Sequence, residues 1–117
     1  MHVLVADDDC GELVAQTLAK SLAALGIDVR TNVALSLDAL TELLGFLTPD
    51  AIVLDLRFQG CAPERVIPLV RTLYQGRIIV ASGDDRAPAF AAQYGCECLP
   101  KPYDPGTLAR VLKGTPP

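Results

Sequence analysis

Short apolar runs alternate along this chain with longer stretches in which apolar residues recur every third or fourth position. Val3 to Ala6 is an apolar run that stops at Asp7; it is too short for a helix and predicts a buried strand. Val14, Leu18, Leu22 and Leu25 follow at helical spacing, and Gly26 closes that helix. Asp9 with Glu12 one turn later predicts its N-cap, of the capping-box kind. Ile27 to Val33 alternates apolar and polar residues and predicts a second strand. Ser36 is the expected N-cap of a helix carrying Leu37, Leu40, Leu43, Leu44 and Leu47 on one face, and Pro49 stops it.

The second half repeats the scheme. Ala51 to Leu54 is a buried run that again ends on a carboxylate, Asp55. Phe58 to Ala62 is a loop, and the next helix turns Val66, Val70 and Leu73 inward. Pro68 requires that helix either to start late, with the proline in its first turn, or to kink. Ile78 to Ala81 is a fourth strand ending at Ser82, and Pro88 to Tyr94 a short helix. Cys96 to Leu99 is a fifth strand ending just before Lys101. Asp104 caps a last helix with Pro105 at its first position and Leu108, Val111 and Leu112 facing inward. No internal repeat or low-complexity segment interrupts the order.

Strand and helix thus alternate five times, which predicts an α/β domain with a parallel sheet covered on both faces. The expected architecture is a flavodoxin-like (βα)5 doubly wound sheet of strand order 2-1-3-4-5. Its 117 residues suffice for one domain with a real core. That domain is expected over residues 1–113, with 114–117 a frayed tail or the start of a linker.

Charge and composition narrow the function. Half the residues are hydrophobic and 21% charged, a globular balance, and the net charge of −4 with no basic run argues against direct nucleic-acid binding. Met-His-Val-Leu-Val-Ala leads straight into three aspartates, without the basic start and long apolar stretch of a signal peptide. No run approaches membrane-spanning length, so no membrane association is expected. Cys10, Cys61, Cys96 and Cys98 read as reduced thiols of a cytoplasmic protein; the Cys-x-Cys pair has no nearby histidine cluster to make a zinc site.

The expected sheet gives the polar strand ends a meaning. In such sheets the site lies beyond the carboxyl ends of the strands, at the switch point between the first and third. Asp7 and Asp8 end the first strand, Asp55 the third, Ser82 the fourth, and Lys101 follows the fifth. Packed carboxylates repel one another unless a divalent cation sits among them, and oxygen ligands with open water positions suit Mg²⁺. A metal, an ammonium and a hydroxyl around one carboxylate form a site for three phosphoryl oxygens. Each residue has a plainer use: a solvated turn at Asp7 and Asp8, a strand end at Asp55, a turn at Ser82, a surface lysine at Lys101. Their coincidence on one edge favours the phosphoryl site, and Asp9 is left with the capping role.

The strings VLVADDD, DAIVLDLRFQG, IIVASGDD and LPKPYD resemble the four signature segments of bacterial two-component response-regulator receiver domains (CheY-like), in order and across essentially the whole chain. The resemblance implies that Asp55 is the phosphoacceptor and also touches the metal. It implies that Asp7 and Asp8 hold Mg²⁺, Asp8 the more directly, and that Arg57 lends its backbone carbonyl. Ser82 would move to bond the phosphoryl oxygen, Lys101 would pair with it, and the peptide before Pro102 would be cis. Implied partners are a histidine kinase or phosphotransfer protein and a downstream effector protein or domain; homodimer formation on phosphorylation is compatible with it. Such a domain is no enzyme beyond promoting its own phosphorylation and dephosphorylation.

The sequence departs from that family at Cys98, where an aromatic switch residue is usual, and at Gln59, often a proline. The stretch from Ser82 to Lys101 is about three residues shorter than usual, so a stunted fourth helix and an altered output surface are expected. Arg57 and Asp84, each two residues beyond a site residue, are placed to pair over the route of an attacking water, which predicts slow self-dephosphorylation. Two other function classes stay open. One is a receiver-like binding module that works without phosphorylation. The other is a Mg²⁺-dependent phosphatase or phosphotransferase, for which the chain has no inserted cap to build a substrate pocket. A flavin site fails, because the acidic first loop repels phosphate.

Overall fold

A computed structural model describes residues 1–55 and 63–114. The readings made for Arg57, Gln59, Cys61, the Phe58–Ala62 loop and the tail beyond Gly114 lie outside them. The order is β1 (His2–Ala6), α1 (Gly11–Ala24), β2 (Arg30–Ala34), α2 (Leu37–Leu44), β3 (Ala51–Asp55), α3 (Pro63–Leu73), β4 (Arg77–Ser82), α4 (Ala87–Gln93), β5 (Glu97–Pro100) and α5 (Pro105–Lys113). All strand pairs are parallel and the sheet order is β2-β1-β3-β4-β5, as the alternation predicts.

The sheet is buried on both faces, and the strand period divides its side chains between two cores. Leu4, Ala6, Ile52, Leu54, Ile78 and Val80 face the layer of α2, α3 and α4, where Leu40, Val66, Ile67 and Val70 meet them. Val3, Val5, Val53 and Ile79 face α1 and α5, against Ala15, Leu18, Leu22, Leu108, Ala109 and Leu112. Truncating a fully buried leucine such as Leu18 or Leu54 to alanine costs about 2–5 kcal/mol.

Several boundaries move. The second strand begins at Arg30 rather than Ile27, because α1 closes with Gly26 at φ +80° and the chain needs Ile27 to return: Ile27 N–H donates to Leu22 O and Gly26 N–H to Ala23 O, a Schellman motif. Leu25 and Leu73, expected inside, are 37% and 39% exposed; Ala15 and Ile67 take the inward positions. In α5, Ala109 is buried and Val111 only partly so. Leu47 lies beyond α2. Pro68 lies inside α3, which begins at Pro63, so the helix does not start late.

The caps are mixed. Ser36 Oγ accepts from Ala39 N, and Asp104 Oδ1 accepts from Gly106 N with Pro105 at the first helical position, as expected. Asp9 does not cap α1. The N-cap is Cys10, with no side-chain capping bond, and the turn is held instead by Asp7, whose Oδ1 accepts from Asp9 N and Cys10 N.

Candidate functional site

Four adjacent strand ends build the site. Ala6 pairs with Leu54 across β1 and β3, so Asp7 emerges beside Asp55 at the switch point of the sheet. Asp55 pairs with Ala81 on β4, and Ser82 with Pro100 on β5. Lys101 N–H donates to Ser82 O at 2.8 Å, which ties the last strand end to its neighbour, and the Lys101–Pro102 bond is cis.

Asp7, Asp8 and Asp55 each bring a carboxylate oxygen within 4.8 Å of the others. Asp7 is 6% exposed. Its Oδ1 takes the two turn amides at 2.9 and 3.2 Å, and its Oδ2 accepts from Cys10 Sγ at 3.6 Å. Asp8 is exposed and Asp55 half-buried. An all-oxygen cluster of this kind suits a hard divalent cation, and the mutual repulsion of three carboxylates would be relieved by one.

Lys101 Nζ lies 3.4 Å from Asp55 Oδ1. Ser82 is buried, and its Oγ accepts from Asp84 N at 3.0 Å. Asp55, Ser82, Gly83 and Lys101 line a cleft of about 200 Å³. Asp7, Asp8, Asp55, Ser82 and Lys101 are therefore brought together; Arg57 falls outside the described residues.

Two neighbours of the site, Cys10 and Tyr103, were not legible beforehand. Cys10 lies beside the acidic cluster, its thiol pushed up by burial and then by Asp7. The Tyr103 phenol is also pushed up, by burial first and then by Asp7, Cys10 and Asp55. Asp84 carries Arg86: Oδ2 meets Nη2 at 2.9 Å, and Oδ1 accepts from Arg86 N. Cys98 is half-buried against the α2–α3–α4 core, and burial raises its thiol. α4 has seven residues, the stunted helix expected from the short spacing. Thiols at Cys10, Cys96 and Cys98 are free.

No protein-family model and no curated protein matches the sequence. Solved structures do. A response regulator from Burkholderia pseudomallei, carrying a phosphorylated aspartic acid and a calcium ion, is 28% identical with a TM-score of 0.72; the match covers 95% of this chain and 65% of that one. This chain thus spans less than two thirds of that protein. A putative response regulator from Chloroflexus aurantiacus is 28% identical with a TM-score of 0.70, over 96% of this chain and 93% of that one. A receiver domain of a Francisella response regulator, at 22% identity and a TM-score of 0.76 over 96% and 93%, shares the fold. The class these neighbours define is the response-regulator receiver domain of two-component signalling. The receiver-domain resemblance expected from the sequence is matched by these solved structures. Among the described residues, no helix is long and apolar enough to cross a membrane.

Proposed function

We propose that this chain is a phosphorylation switch in which Asp55 accepts a phosphoryl group from a histidine kinase or phosphotransfer protein in the cytoplasm. A carboxylate oxygen of Asp55 would attack phosphorus in line, forming an acyl phosphate as the phosphorus–nitrogen bond of the donor phosphohistidine breaks and the imidazole leaves with the electron pair. The observation that carries this reading is the Lys101–Asp55 contact of 3.4 Å inside a cleft that Ser82 also lines, with two further carboxylates beside it.

Asp7, Asp8 and Asp55 are the residues that would hold Mg²⁺, with the Arg57 backbone carbonyl, and Asp8 the more direct ligand of the acidic pair. When bound, the cation would offset the negative charge on the transferring phosphoryl oxygens. Lys101 would neutralise a second oxygen and Ser82 would donate its hydroxyl to a third. Asp7 serves from a fixed position, because its Oδ1 is anchored by the Asp9 and Cys10 amides. The phosphorylated domain would then act on a downstream effector protein or domain, or on a second copy of itself.

A second reading has support of its own. Cys98 and the seven-residue α4 alter the surface through which such domains signal, which favours a binding module that works without phosphorylation. Intact mass after incubation with acetyl phosphate and Mg²⁺ separates the two. A gain of one phosphoryl mass, lost in Asp55→Asn and with EDTA, supports the switch; no gain with acetyl phosphate or any of a panel of kinases supports the module.

A further inference from the structure

We infer that Cys10 is a positioning residue for the proposed cation site: its thiol holds the second oxygen of Asp7 and so sets how that carboxylate meets the metal. This role rests on the proposed Mg²⁺ site and extends it to a residue outside the acidic cluster. An ionised carboxylate has about four lone-pair sites, shared between its oxygens. Asp7 is buried, and its Oδ1 accepts from Asp9 N at 2.9 Å and from Cys10 N at 3.2 Å, which fills that oxygen. Oδ2 accepts from Cys10 Sγ at 3.6 Å. Among the described residues no other group donates to Asp7. One site on Oδ2 is therefore left for a cation shared with Asp8 and Asp55, whose ligand oxygens lie within 4.8 Å of that of Asp7.

The thiol supplies what the two amides cannot. Both amides grip Oδ1, and a carboxylate held at one oxygen can still swing the other about that point. A bond on Oδ2 stops the swing. An S–H is also a weak donor, so it orients Oδ2 while leaving most of its negative charge for a cation. The place of Cys10 in the fold shows no competing use for the side chain. It is the N-cap of α1, where Ser, Thr, Asp or Asn would bond the first amides of the helix, and it makes no such bond. It is exposed, so it adds little to either core. A residue that neither caps its helix nor packs a core, yet touches a buried carboxylate of the cluster, breaks the local rule where a site would make use of it.

The test is a titration of the whole chain with MgCl2 at constant ionic strength. Backbone amide shifts in NMR report the Kd and the folded state together. Cys10→Ala removes the donor and should weaken Mg²⁺ binding about tenfold, the low end of what losing an outer-shell partner costs, because the thiol is a weak donor. Its metal-free melting temperature should stay close to that of the parent, since no capping bond is lost. Cys10→Ser keeps a donor on the same carbon and should recover most of the affinity. Cys10→Ala with the parental Kd overturns the positioning role, whatever its melting temperature. So does a Cys10→Ser variant as weak as Cys10→Ala, because the donated hydrogen would then not be what counts. A parent chain that binds no Mg²⁺ overturns the metal reading and this role with it. A parent that binds Mg²⁺ with a Kd indifferent to Cys10→Ala overturns this role alone.

Discussion

Lys101 reaches past the end of β4 to set its Nζ 3.4 Å from Asp55 Oδ1, two strands away in the sheet. The contact is half-open to solvent on the lysine side, so its worth to the fold is small, about 1 kcal/mol or less. In the proposed phosphoryl transfer its worth would be larger, because an ammonium already in place needs little reorganisation as charge moves. Lys101→Met should therefore leave the melting temperature within a few degrees and slow phosphorylation by acetyl phosphate about a hundredfold. Time-resolved intact mass measures the rate, and an unchanged rate would remove Lys101 from the site.

The acidic cluster makes the opposite trade. Three carboxylates within 4.8 Å of one another repel in the metal-free protein. Asp8→Asn removes one of those charges at an exposed position and should stabilise the metal-free protein by on the order of 1 kcal/mol. If the cluster holds Mg²⁺ as proposed, the same variant should lose most of the stabilisation that binding to the native state would confer. Thermal melts with EDTA and with Mg²⁺ give both numbers. Asp8→Asn melting below the parent in EDTA, with the Mg²⁺ increment intact, would show that Asp8 serves the fold and not the cation.

Gly11 sets how closely α1 approaches β2. A Cβ there would lie 2.8 Å from Val33 Cγ1, and neither partner is the flexible end of a long side chain. Gly11→Ala should cost about 1–3 kcal/mol through overpacking, against a helix-propensity gain of about 1 kcal/mol. Val33→Ala in the same chain should recover most of the loss, which a double-mutant cycle reads as coupling between the two positions. Additive effects would place the strain elsewhere.

Arg77 and Glu97 form the most enclosed ion pair among the described residues, with side chains 12% and 19% exposed. Arg77 Nη1 also donates to Leu112 O and Gly114 O, and Nη2 to Val111 O, so one guanidinium fastens the edge strand β5 and the last carbonyls of α5 to β4. The hydrogen bonds that Arg77 donates to Glu97 raise the Arg77 pKa above the usual arginine value, so the guanidinium stays charged. Breaking it from one side strands a buried charge and several carbonyls. Arg77→Met should cost about 3–5 kcal/mol in urea unfolding. A loss below about 1 kcal/mol, the range of an exposed pair, would show that water replaces the guanidinium at little cost.

What could be read from sequence follows from what has a period or a position. Strands buried on both faces appear as apolar runs, and a parallel sheet places every strand's carboxyl end on one edge, so Asp7, Asp55, Ser82 and Lys101 could be gathered before any coordinates. Side-chain reach has no period. Nothing in the spacing distinguishes Arg71 or Arg77 from a solvated arginine, since their acceptors are carbonyls of other elements. Asp9 failed as a cap for a related reason: the preceding strand delivers Asp7 from inside the fold, and its buried oxygen reaches the turn amides first. Leu73 misled because helical spacing marks a face but not how far along the helix the cover extends.

On the proposed function, the lifetime of the phosphoryl group would be the property most exposed to the loop after β4. Asp84 stands two residues beyond Ser82 with its amide on Ser82 Oγ, and its carboxylate is engaged by Arg86. On the proposed function, a charged pair beside the cleft would hinder water on its way to phosphorus. Removing it with Arg57→Ala and Asp84→Ala should shorten the lifetime about tenfold, which corresponds to about 1.4 kcal/mol of barrier. Arg86→Ala, which leaves Asp84 in place, separates the two arginines: if Arg57 is the screening partner, Arg86→Ala keeps the long lifetime, and if Arg86 is, it reproduces the loss. Decay of the phosphoryl mass after donor removal is the measurement. A double variant that decays at the parental rate would show that water reaches phosphorus by a route these residues do not cover.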